Sequence, residues 1–216
     1  MQREMSLRKI ENRILGDLPG TMFITSDFTD IASSDTANRA LLRLEKGGII
    51  RKIMRGIYEK PKYSEFLEEN IAPSPDKVAN TIARKCGWRI VPNGDTALNM
   101  LGLSTQVPAV WMYVSDGPYK EYEFDGITLK FKHTANKEIS NTSYKTALVI
   151  QALKAIGKER VTSSIIQKIS KLLTEKEKQN MISEAQYTTA WTYDVIKEIY
   201  YCELSNEKYS NNIDRR

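Results

Sequence analysis

Along the first sixty residues the apolar positions change period more than once, and each change marks an element. Leu7, Ile10, Ile14 and Leu18 recur at helical spacing and predict a helix over residues 5–17, ended by Leu18-Pro19-Gly20. Met22-Phe23-Ile24 is a stub of strand. Thr25 or Ser26 can cap a brief helix over residues 27–31, with Asp27 and Asp30 near its positive end. From Asp35 the apolar set is Ala37, Ala40, Leu41 and Leu44, one face of a second amphipathic helix. Ser33 or Ser34 can cap it, and Gly47-Gly48 stops it. Two β-prone runs, Ile49 to Ile53 and Ile57-Tyr58, flank Met54-Arg55-Gly56 and read as a small hairpin. Helix, short strand, helix, helix, hairpin is the order of a winged helix-turn-helix.

The pattern then loosens. Residues 63–71 are mildly acidic and read as a connecting helix, before the break Ala72-Pro73-Ser74-Pro75. A helix beginning at Ser74 and Asp76 points Val78, Ala79, Ile82, Ala83 and Cys86 inward. Strands are expected at 88–91 and 110–114, with a helix at 95–101 ended by Gly102. Asp125-Gly126 between alternating runs specifies a two-residue hairpin over 119–133, in which Phe124 faces Ile127, Tyr122 faces Leu129 and Glu121 faces Lys130. The remainder is helical. Gly157 closes a helix carrying Ala147, Leu148, Leu153 and Ile156, and Thr162 caps another over 163–173. Thr174 to Glu177 is a capping box, and a last helix covers about 189–203.

The fold class is therefore α+β: an N-terminal winged helix-turn-helix, a mixed α/β middle region with a β-hairpin, and a helical C-terminal region. The expected boundaries are a DNA-binding domain over 1–62, a linker over 63–75, a second domain over 76–205 and a flexible tail over 206–216.

Composition narrows the function. In 216 residues no apolar run approaches the length of a membrane span, and the charged N-terminus is unlike a signal peptide, which predicts a cytoplasmic protein without a membrane partner. The net charge is +5. Between Arg39 and Arg55 six basic residues face one acidic residue, so the whole excess falls on the second amphipathic helix and its hairpin. Thr36, Asn38, Arg39, Arg43 and Lys46 are types that read base edges and phosphates from a helix laid in the major groove. Arg51, Lys52 and Arg55 would meet the flanking backbone from the hairpin.

Other chemistry is missing from the sequence. It has no phosphate-binding glycine loop, no GxSxG and no HExxH. Cys86 and Cys202 read as buried free thiols, and the single histidine, His133, as structural. No catalytic residue, cofactor or metal site is assigned.

Several of these stretches form a recurring pattern. Leu18-Pro19-Gly20-Thr21 with Phe23 precedes Ser26-Asp27-Phe28. Ala40-Leu41 leads through Arg43-Leu44 and Lys46-Gly47-Gly48-Ile49-Ile50-Arg51 to Arg55-Gly56-Ile57-Tyr58. Gly94, Ala97-Leu98-Asn99 and Leu101 to Pro108 come next, then Ser115-Asp116-Gly117. Over about residues 10–157 the chain resembles the AbiEi-like antitoxins of bacterial abortive-infection systems, in particular a subgroup long described only as a domain of unknown function. The resemblance implies a winged helix that represses its own operon, with double-stranded promoter DNA as partner. It also implies a second domain opposing a nucleotidyltransferase-like toxin, in the type IV manner that needs no stable complex, and no enzymatic activity. Two rival readings remain open at this point. One is an antitoxin that binds its toxin directly and has a vestigial winged helix; the other is a nucleic-acid-modifying enzyme working through the middle domain.

Overall fold

The computed structural model describes residues 2–134 and 141–213. Among these the chain is mixed α+β, with eight α-helices and three small sheets. It divides into two compact units: residues 1–88 with 123–127, and residues 89–122 with 128–216. No helix among the described residues is long and apolar enough to cross a membrane.

The first unit opens with α1 (Gln2–Gly16), β1 (Met22–Phe23) and a 3₁₀ turn over Thr25–Phe28. The turn stands where a short helix over 27–31 was expected. Asp27 caps its start, its carboxylate accepting from the Ile24 backbone N–H at 2.9 Å. Next come α2 (Ser34–Lys46), β2 (Arg51–Met54) and β3 (Ile57–Glu59). The Ser33 hydroxyl caps α2 by accepting from the Thr36 N–H. The strand order is β1-β3-β2, both pairings antiparallel, with Phe23 opposite Tyr58 and Arg51 opposite Glu59. Ile10, Ile14, Phe23, Phe28, Ala37, Ala40, Leu41, Leu44, Ile50 and Tyr58 form one core. The apolar stripes of α1 and α2 are thus spent on each other and on the sheet.

Residues 63–71 do not form a helix. They make a two-stranded ladder, β4 (Tyr63–Ser64) and β5 (Glu69–Asn70), with Tyr63 opposite Asn70. The Ser64 hydroxyl accepts from the Leu67 N–H at 3.3 Å, and Glu68 takes a left-handed φ of 54°. Both favour a turn over a helix.

The helix that follows, α3 (Pro75–Cys86), starts as its sequence predicts, with Ser74 as cap and proline in the first turn. Its place differs from the expected division at 63–75, because it packs with the first unit. Lys77 Nζ donates to the Gly20 carbonyl at 2.9 Å, and Lys85 Nζ to that of Arg55 at 2.6 Å. Arg84 pairs with Asp27 and also reaches the Met22 carbonyl at 3.4 Å. Cys86, expected to be buried, is exposed in the last turn of α3, and it and Cys202 are free thiols.

The second unit holds, apart from the hairpin tip at residues 123–127, a four-stranded sheet of order β6-β7-β9-β8: β6 (Ile90–Pro92), β7 (Val110–Ser115), β8 (Lys120–Phe124) and β9 (Ile127–His133). β7 pairs antiparallel with β6 and parallel with β9. At the Asp125-Gly126 turn both residues have positive φ, 45° and 74°, the backbone that a two-residue hairpin of native twist requires. Glu121 and Lys130 form the expected cross-strand pair at 2.9 Å. His133 Nδ1 lies 2.9 Å from the Gly117 carbonyl; a carbonyl can only accept, so this nitrogen carries its proton and the ring braces a turn.

The helices of this unit are α4 (Asp95–Met100), α5 (Tyr144–Ile156), α6 (Ser163–Lys171), α7 (Glu175–Glu184) and α8 (Ala190–Ile213). The Thr174–Glu177 capping box forms: Glu177 accepts from the Thr174 N–H at 2.8 Å, and Thr174 Oγ1 from the Glu177 N–H at 3.3 Å. α5 is the central element, buried on nearly every side against Ala97, Leu101, Ile169, Met181 and Ile196. α8 runs past its expected end at 203, since no glycine or proline interrupts residues 190–213; of the expected flexible tail, 214–216 lie outside the described residues.

Candidate nucleic-acid interface

Helix α2 sorts its residues cleanly. Ala37, Ala40, Leu41 and Leu44 are buried, while Asn38, Arg39, Leu42, Arg43 and Lys46 are exposed. At about 1.5 Å per residue the exposed run from Asn38 to Lys46 is about 12 Å long, close to the width of a B-DNA major groove. Asp35 shares this face in the first turn, where its carboxylate suits the positive end of the helix. Thr36 is half-buried, its backbone N–H and hydroxyl both turned to the Ser33 cap. Asn38 meets the Thr25 hydroxyl at 3.5 Å.

The charged groups differ in how far they are committed. Arg39, Arg43, Lys46, Lys52 and Arg55 make no ion pair or side-chain hydrogen bond among the described residues. Exposed guanidinium and ammonium groups in that state can engage an external anion without breaking an internal bond. Arg55 occupies the tip of the β2–β3 hairpin beside Gly56, whose φ of 72° makes the tight turn possible. A side chain at Gly56 would also press on Lys85 Nζ, 2.9 Å from where its Cβ would stand.

Arg51 is different from its neighbours. Expected to meet phosphates, it is committed within the fold. Nε donates to Glu59 at 2.7 Å, and a terminal nitrogen lies 2.5 Å from Glu59 and 2.6 Å from the Ile71 carbonyl. Glu59 is only 3% exposed, so this guanidinium neutralises a buried carboxylate. Strand alternation puts Lys52 on the other surface, exposed. Behind the hairpin, burial raises the Tyr58 phenol above its ordinary pKa, with Glu45 adding to the effect.

Sequence reasoning missed Leu42, which is exposed in the middle of the polar face, and Asp35. Their signal lies in the helical wheel and not in the run of positive charge. No group of three or more His, Cys, Asp or Glu able to hold a metal ion occurs among the described residues.

No curated protein matches the chain. Residues 9–181 match the family of unknown function DUF6088, and the chain belongs to that family.

Proposed function

We propose that this protein is a transcriptional autorepressor and antitoxin of a bacterial toxin–antitoxin system, acting in the cytoplasm without catalytic activity. In this reading the first unit is a winged helix-turn-helix. Its recognition helix is α2, and the β2–β3 hairpin is a short wing. The observation that carries the reading is the exposed face of α2, where Asn38, Arg39, Arg43 and Lys46 stand together, the three cations unpaired among the described residues. Arg and Asn make bidentate contacts to guanine and adenine, and unpaired cations release counterions from phosphates. The order β1-β3-β2 behind two packed helices agrees with a winged helix. The antitoxin half rests on the resemblance to AbiEi-like proteins and assigns opposition to a nucleotidyltransferase-like toxin to the second unit.

Gel shifts with the chain's own promoter and a scrambled duplex of equal length test the DNA half. The wild type should prefer the promoter, with affinity falling steeply as salt rises. Equal, negligible binding to both at low salt would sink it. Rescue of growth from the toxin encoded beside it, with this chain expressed from a foreign promoter, tests the other half. A divalent-metal-dependent nuclease or transferase activity in the purified chain would favour the enzymatic rival.

A further inference from the structure

Leu42 is out of place on the polar side of α2. It is 41% exposed, while the other apolar residues of that helix are all buried. At about 100° per residue it projects between Asn38 and Arg39, close to the middle of the exposed face, with Lys46 one turn further on. A leucine serving the core would lie with Ala37, Ala40, Leu41 and Leu44, on the opposite side. This one is surrounded by side chains whose chemistry suits base edges and phosphates.

The apolar group on the floor of a major groove is the C5-methyl of thymine, and an aliphatic side chain is its natural contact. We infer that Leu42 is a specificity-determining residue that packs against a thymine methyl and selects thymine at one position of the bound duplex. The inference rests on the DNA-binding reading of α2. It adds something charge alone does not supply. Arg39, Arg43 and Lys46 favour guanine or phosphate, and Asn38 favours the adenine edge of an A·T pair, so none of these four polar groups is suited to the thymine methyl itself. Asp35, the acidic group on the same face, accepts hydrogen bonds and gives no contact to a methyl.

The test removes the methyl and nothing else. A duplex is selected from a random pool by the full-length chain, then synthesised once with thymidine and once with deoxyuridine. Binding of wild type and Leu42→Ala to both is measured across a salt series. Alanine keeps the helix, having the higher helical propensity. Burial of one methyl predicts that the wild type binds the deoxyuridine duplex about fourfold more weakly. Leu42→Ala should bind both duplexes alike, with the salt dependence of wild type. The inference is overturned if wild type binds both duplexes equally, or if Leu42→Ala keeps the full discrimination. If no duplex is enriched and none is bound at low salt, the DNA-binding reading itself falls, and this inference with it.

Discussion

Helices α2 and α3 are nearly the same length and both amphipathic, and each carries three cations. Those of α2 (Arg39, Arg43, Lys46) are unpaired among the described residues, whereas those of α3 (Lys77, Arg84, Lys85) all reach back to the turn before β1, the 3₁₀ turn or the β2–β3 hairpin. Positive charge on a helix therefore says little about use. What separates the two is whether a carbonyl or carboxylate of the same unit lies within reach. The comparison also explains why the first unit keeps a basic face at all: the cations available to an outside partner are those that the fold does not already employ.

The largest expected effect comes from the free set. Arg39→Ala with Arg43→Ala should lower affinity for the preferred duplex by about a hundredfold, at roughly one to three kcal/mol per bidentate contact, and leave the melting temperature unchanged. Lys52→Ala and Arg55→Ala, which would each remove one phosphate partner, should flatten the log–log salt dependence by about one unit for all duplexes alike. An unfolded or low-melting double variant would place these arginines with those of α3 and dissolve the distinction.

Next in size is Arg51, the one hairpin cation that behaves as α3 does. Arg51→Ala strands the buried Glu59 carboxylate and should cost about 3 kcal/mol in urea unfolding. Adding Glu59→Gln should recover part of that loss. If Arg51→Ala is as stable as wild type but binds DNA poorly, Arg51 belongs with the free set after all.

Lys77→Ala and Lys85→Ala each remove a hydrogen bond to a backbone carbonyl and should cost about 1 kcal/mol, with duplex affinity unaltered. A drop in affinity at unchanged stability would show that α3 also faces the nucleic acid.

The smallest effect is a titration. Hydrogen bonding to Arg13 holds the Asp30 carboxyl below its ordinary pKa. The folded pKa is thus depressed relative to the unfolded chain. The pair stabilises the fold at pH values above the ordinary carboxylate range, and that contribution disappears as pH falls through the lower folded value. Asp30→Asn should therefore melt slightly below wild type at neutral pH and level with it near pH 2, approximately. Equal melting at every pH would mean that this exposed pair contributes nothing.

What the sequence revealed follows the range of the interactions. Caps at Ser33, Ser74, Thr162 and Thr174 act over three residues and could be read directly, as could the Asp125-Gly126 turn and the buried face of α2. The outward placement of Arg39, Arg43 and Lys46 was likewise legible from a helical wheel, but not that they stay unpaired. The return of α3 to the first unit was not. Its targets at Gly20, Met22 and Arg55 are backbone carbonyls, which every residue possesses and no pattern marks. The role of Arg51 was hidden for a related reason: Glu59 lies eight residues away, and only the antiparallel register of β2 and β3 sets them opposite. The parallel pairing of β7 with β9 likewise joins segments with no local signal between them.

The β4–β5 turn carries Phe66 at 93% exposure, a ready cleavage site for a protease that cuts after aromatic residues. A cut there severs the covalent path between the β1-β3-β2 sheet and α3, yet the bonds of Lys77, Arg84 and Lys85, and of Arg51 to Ile71, all span it. The two fragments should migrate separately in denaturing electrophoresis and elute together as one nicked particle under native conditions.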